Sequence, residues 1–155
     1  MRKIKNIGAG GNWERIGEKF DFSVIKQTDS LACVSAVGEM LLKARGFEVS
    51  QTEIAEFIGK PSNSEKLAEY FNQLENSKNN WIGGFFDVKY LEKIIATGTW
   101  GAVLREGSPL GHMVLVEGID RNGLIKIKDP FDQTSYRMTK SIFLRYLSEF
   151  ICEKK

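Results

Sequence analysis

The chain is poor in the residues that bind metals and staple small folds. Its 155 residues hold one histidine, two cysteines and three prolines. One histidine with Cys33 and Cys152 lacks the ligands for a structural Cys/His zinc site. Two cysteines are no disulfide framework for a chain of this size. No metal or cofactor is expected. No apolar run reaches about 18 residues, so no helical membrane span is expected. The N-terminal stretch Met1-Arg-Lys-Ile-Lys-Asn-Ile has charges but no apolar core, and it is not expected to be a secretory signal. A net charge of +2 is too small to imply a nucleic-acid partner. What is present is ordinary globular material, 42% hydrophobic and 27% charged, enough for one domain with a real core.

Hydrophobic spacing divides the chain into a helical first half and a stranded second half. Residues 1–21 read as a flexible lead-in or N-terminal arm, with Trp13, Ile16 and Phe20 at the spacing of a short helical stripe. Residues 22–155 read as the domain. Val34, Val37, Leu41 and Ala44 recur at three- and four-residue intervals, predicting a helix over about 32–45 with Gly46 just past its end. Ser50-Gln-Thr-Glu53 is a capping box for a helix burying Ile54 and Ile58. Ser62-Asn-Ser-Glu65 is a second, for a helix carrying Leu67, Phe71 and Leu74. Residues 75–80 form a loop, and 81–86 are ambiguous. Asp87 suits the cap of a helix with Val88, Leu91 and Ile95. Alternation then predicts strands over 100–105, 112–118, 124–129 and 135–138. Thr139 caps a closing helix that buries Phe143 and Leu147. The fold class is α+β, an N-terminal helical half packed on a small C-terminal antiparallel sheet.

Four residues stand out as a chemical set. Cys33 falls in the first turn of the first long helix, with Asp29 or Ser30 as the cap. Free N–H groups and the helix dipole favour negative charge there, the setting for a nucleophilic thiolate. His112 opens one strand and Asp129 ends the next. A hairpin turning near residues 120–123 brings the two within a residue or two of pairing, roughly 5 Å apart across the ladder. Asp129 can then accept an imidazole N–H and leave the other ring nitrogen to take a proton from a thiol. Gln27, on the loop before Cys33, can supply an amide donor to an oxyanion. Each residue alone has an ordinary explanation. Cys33 can be a small buried hydrophobe, His112 a hydrogen-bonded strand residue, Asp129 a turn former before Pro130, and Gln27 a solvated loop side chain. Asp120 and Asp132 are rival partners for the histidine, but neither sits at the matching strand end.

The order Gln27…Cys33, Gly111-His-Met-Val-Leu-Val-Glu-Gly118, Gly123-Leu-Ile-Lys-Ile-Lys-Asp-Pro130 and Tyr136-Arg-Met-Thr-Lys-Ser-Ile-Phe143 resembles the papain-like cysteine peptidases that process bacteriocin leaders. The closing pattern from Asp129 to Lys140 is similar to papain-fold toxin domains of bacterial polymorphic toxins. The nucleophile loop differs, reading Asp29-Ser-Leu-Ala-Cys33 where the peptidases have Asp-Cys-Gly-x-Ala-Cys. The resemblance implies a papain-like fold over roughly residues 22–150. It implies Cys33 as nucleophile, His112 as base, Asp129 as its orienting carboxylate and Gln27 in the oxyanion hole. It further implies a protein or peptide substrate, a toxin or effector role in a target-cell cytoplasm after secretion or surface display, and a cognate immunity or inhibitor protein. Leader-peptide processing, glutamine deamidation or transamidation, a non-catalytic peptide-binding module and a nuclease toxin are the alternatives. A lone histidine and the low charge weigh against the last.

Overall fold

The computed structural model describes residues 11–74, 80–106 and 111–154. A seven-stranded antiparallel sheet forms its centre, in the order β1-β6-β5-β4-β3-β7-β2. The strands are β1 (Ile16–Phe20), β2 (Trp81–Phe85), β3 (Trp100–Leu104), β4 (His112–Ile119), β5 (Ile125–Asp129), β6 (Thr134–Met138) and β7 (Leu147–Glu153). The helices are α1 (Cys33–Lys43), α2 (Gln51–Ile58), α3 (Ser64–Leu74), α4 (Leu91–Ile95) and α5 (Lys140–Tyr146).

Alternation along the central strands builds two cores. Val103, Met113, Leu115 and Ile151 face α1, α2 and α3, where Val37, Leu41, Ile54, Leu67 and Phe71 meet them. Ala102, Leu104, Val114, Val116, Ile125 and Ile127 face the other way, toward Trp13, Leu91, Ile94 and Phe143. Helix α1 thus lies against the middle of the sheet, with its first residue near the start of β4. Gly101 of β3 makes this approach possible. A Cβ there would stand 2.7 Å from Ile151 Cγ2 and within 3.5 Å of Val37 and Met113.

Local signals set most of the element ends. Ser50 caps α2 by accepting the Glu53 N–H at 3.1 Å. Gly46 takes a positive φ of 89°, and Phe47 N–H returns to the Leu42 carbonyl, a Schellman ending for α1. Thr139 caps α5 through the Ile142 N–H. Several expectations need correction. Residue Ala32 precedes α1 with no side-chain cap; Asp29 instead accepts the Leu31 N–H and pairs with Lys60. The second capping box shifts by one residue, because Asn63 rather than Ser62 accepts the Lys66 N–H. Leu74 is largely exposed. Between Asp87 and α4 lies a 3-10 turn over Val88–Tyr90, so Leu91 and Ile94 are the buried pair and Val88 is exposed. Leu147 opens a strand instead of ending a helix. The expected helical stripe of Trp13, Ile16 and Phe20 is extended: Ile16–Phe20 pairs with β6, and Trp13 is buried. Within the expected arm, residues 11–20 therefore belong to the packed structure. The predicted loop at 75–80 and the connection between the strands expected over 100–105 and 112–118 lie largely outside the described residues.

Replacing Gly101 with Ala is expected to cost about 1–3 kcal/mol by overpacking the seam between α1 and the sheet. A urea titration with an unchanged midpoint would show that helix and sheet separate without penalty.

Candidate active site

The site assembles where α1 begins, β4 begins and β5 ends. Cys33 is the first residue of α1, and its Sγ accepts the backbone N–H of Met113 at 3.5 Å. His112, one residue earlier on β4, is buried with its Nε2 2.7 Å from Asp129 Oδ1. The β4–β5 register sets Leu115 opposite Lys128, which carries Asp129 opposite Val114 and on the diagonal from His112. The hairpin expectation thus stands at an offset of two residues, with an irregularity between Val116 and Gly118. The other ring nitrogen, Nδ1, is buried without a partner of hydrogen-bond geometry, and the Cys33 side chain lies beside the ring. Such contacts are often loose before substrate arrives.

Asp129 is fully enclosed and well supplied with donors. Its Oδ1 also accepts the Phe131 N–H at 3.0 Å, and its Oδ2 accepts the Tyr136 hydroxyl at 2.8 Å. Trp13 Nε1 donates in turn to that hydroxyl at 2.9 Å, and Arg15 stands 3.8 Å from Oδ2. The imidazole lies between two aromatic rings. Trp13 stacks at 6.1 Å with a tilt of 19°, and Phe131 meets it edge-on at 6.3 Å. Of the rival aspartates, Asp120 caps its own turn through the Asn122 and Leu124 N–H groups.

Electrostatics follow from this enclosure. Burial alone would strip the proton from His112. The charge and hydrogen bond of Asp129, with a further contribution from Cys33, outweigh it and raise the imidazole pKa to about 10. Burial works against Asp129 ionising too, yet His112, Arg15 and the Phe131 N–H hold its pKa well below the usual carboxylate range. Burial and the Asp129 charge push the Tyr136 phenol upward, so it stays a donor. Burial also raises the Cys152 thiol, which sits in β7 away from the histidine's strand.

Gln27 occupies the loop leading into α1. Its backbone N–H donates to the Pro130 carbonyl at 2.9 Å, tying this loop to the turn after Asp129. Its Nε2 donates to the Asp29 carbonyl at 2.8 Å, while its Oε1 is buried without a partner. Gln51 braces the same loop, donating to the Lys26 carbonyl and accepting the Thr28 N–H. A cleft of about 250 Å³ opens beside Cys33, with Leu31, Pro61, Asn63, Arg105, Gly111 and Glu149 among its walls.

Residues 19–150 match the model of the Peptidase_C39 like family. The chain belongs to that family. This C39-like chain is a cysteine peptidase by family and papain-like in fold. It is 36% identical over 137 residues to Cysteine protease effector 1 of Escherichia coli O1:K1:H7, a match covering 88% of this chain. The chain spans 27% of that protein's length. Its fold is similar to the peptidase domain of Streptococcus ComA, a bi-functional ABC transporter involved in a quorum-sensing pathway. That match has a TM-score of 0.69 and 19% identity, and covers 87% of this chain and 100% of that domain.

Sequence reasoning missed Trp13, Arg15, Gln51 and Tyr136. The last carried a signal, since Tyr136 opposes Ile127 in the β5–β6 register, within two positions of Asp129. Trp13 carried none, because Tyr136 and His112 lie far from it in the chain.

The raised pKa of His112 has a consequence for stability in this C39-like domain. The fold favours the charged ring, so its contribution is full below the ordinary value of 6.5 and is lost as pH rises toward about 10. Thermal midpoints are expected to fall more steeply between those limits in the native chain than in His112→Gln. Parallel slopes for the two would contradict the assignment.

Proposed function

We propose that the chain is the peptidase domain of a bacterial effector that hydrolyses an amide in a protein or peptide, using Cys33, His112, Asp129 and Gln27. The observation that carries this reading is the enclosed His112–Asp129 pair beside the thiol that begins α1. Such a pair has little structural reason to be buried, because taking two charges out of water costs several kcal/mol per ion before their attraction is counted.

The chemistry follows the nucleophile–base–orienter pattern. With Nδ1 already holding the proton given up by Cys33 in a resting thiolate–imidazolium pair, the sulfur adds to the substrate carbonyl carbon. The resulting oxyanion is met by the Cys33 backbone N–H and by the second Nε2 hydrogen of Gln27, the first being held by Asp29. The C–N bond breaks as His112 returns the proton to the departing amine, leaving a thioester on Cys33. Water, deprotonated by the same imidazole, then cleaves the thioester and restores the pair. Asp129 keeps Nε2–H engaged throughout, so Nδ1 remains the nitrogen that faces the reaction. Together, Cys33, His112 and Asp129 act as a catalytic triad.

The effector role comes from the likeness to Cysteine protease effector 1. It fits a toxin domain delivered by a longer, secreted or surface-displayed polymorphic toxin into a target cell. A producing cell would need an immunity protein that occludes the cleft beside Cys33. No helix among the described residues is long and apolar enough to cross a membrane.

Expression in the bacterial cytoplasm is expected to arrest growth, and Cys33→Ala to relieve it, with a loss of activity on the order of a thousand-fold or more. Mass spectrometry of the arrested cells should reveal new protein termini. A one-dalton gain on glutamine, or a crosslink, would redirect the thioester to deamidation or transamidation. Growth arrest that survives Cys33→Ala would sink the proposal.

A further inference from the structure

The family match begins at residue 19, yet two side chains that touch the His112–Asp129 pair lie before it. We propose that Tyr136 is the positioning residue for Asp129, that Trp13 sets the direction of its hydroxyl, and that residues 11–15 are therefore a working part of the active site. This rests on the roles given above to Cys33, His112 and Asp129.

The argument is one of donors and acceptors. An indole N–H only donates, and an ionised carboxylate only accepts. The Tyr136 hydroxyl stands between them, 2.9 Å from Trp13 Nε1 and 2.8 Å from Asp129 Oδ2. Its lone pair is committed to the indole, so its one proton points at Asp129. Oδ1 is already shared by His112 and the Phe131 N–H. Tyr136 holds the opposite oxygen, and the carboxyl plane is fixed at both ends. A fixed plane presents Oδ1 to His112 in one geometry, and that in turn aims Nδ1.

Trp13 reaches the other member of the pair as well, stacking on the His112 ring. The arm is built to hold it there. A Cβ on Gly11 would lie 2.0 Å from the Trp13 ring, so only glycine lets the chain fold back on the indole. The Asn12 N–H donates to Glu106 at 2.9 Å, beyond the end of β3. Arg15 donates to the Gly11 carbonyl and to Glu18, and its guanidinium lies 4.8 Å from the Tyr136 ring centre. These contacts tie residues 11–18 across the back of the pair.

The test uses iodoacetate, whose negative charge is drawn to a thiolate only while the neighbouring imidazolium keeps its proton. Alkylation of Cys33 is followed by peptide mass spectrometry across pH, with Cys152 as internal reference. In Tyr136→Phe, which keeps the ring and loses the hydroxyl, the alkaline fall in rate is expected about one pH unit lower, a tenfold weaker hold on the imidazolium proton. Trp13→Phe, which keeps a stacking ring and loses the N–H, should show a smaller shift of the same sign. Combined with Tyr136→Phe it should add nothing, because it acts through that hydroxyl. A folded Tyr136→Phe with the native alkaline limb, or one displaced upward, would overturn the inference, as would shifts that add in the double variant. If Cys33 in the native chain alkylates no faster than Cys152, the underlying catalytic reading fails instead.

Discussion

The structure turns on one buried pair, the imidazole of His112 held 2.7 Å from the carboxylate of Asp129. Two isolated ions there would neutralise each other by proton transfer or would open the structure to solvent. The pair persists because both oxygens of Asp129 are supplied with donors: His112 and Phe131 on one, Tyr136 on the other, with Arg15 close by. Removing water also strengthens each of these interactions, so enclosure and pairing support each other. β4, β5, β6 and β1 lie side by side and carry His112, Asp129, Tyr136 and the strand that follows Arg15. Each neighbour adds one partner to the same enclosed spot.

Cys33, the proposed nucleophile, arrives by a different route. Helix α1 packs on the opposite face of the sheet, through Val37 and Leu41 against Met113 and Leu115. Cys33 and His112 meet only because both lie at element starts. The Met113 N–H on Cys33 Sγ marks that junction, one residue from the histidine. The loop feeding α1 is held from two sides, by Gln51 of α2 and by the Pro130 carbonyl after β5. A shift of α2 would therefore be felt at Gln27, and one of β5 at both Gln27 and the histidine's partner.

Much of this was legible because the signals were local. The β4–β5 hairpin has alternating apolar residues and a turn of Asp120-Arg-Asn-Gly123, and a hairpin's register follows from its turn. Helix α1 and its Gly46 ending were legible for the same reason, as were Cys33, His112 and Asp129, each at the end of a clear pattern. What failed to show was decided by partners far along the chain. The run Leu147–Glu153 became a strand between β3 and β2, where it buries Phe150, Ile151 and Cys152 on both faces, a tertiary preference with little local periodicity. Trp13, Ile16 and Phe20 have helical spacing, but pairing with β6 outweighed it. Asp29 looked like a cap and became a carbonyl acceptor for Gln27 and an ion partner for Lys60.

The division between the two sides of the histidine explains why so short a chain can hold such a site. On one side, β5, β6 and the segment 11–15 exclude water and fix proton positions, and none of Trp13, Phe131, Asp129 or Tyr136 lines the cleft. On the other, the cleft walls come from the ends of α1 and β3, the turn before α3, the start of β4 and Glu149 of β7. Apart from Glu149, which lies within β7, these are ends and turns, where sequence varies most readily. Glu149 shows the boundary between the two tasks. One of its oxygens accepts Ser64 of α3 and the other accepts Arg105, so the ion pair at the cleft wall also joins helix to sheet. A substrate chain lying in this cleft would meet polar groups already committed to one another. It would reach Cys33 without entering the enclosed region around His112, which does not line the cleft.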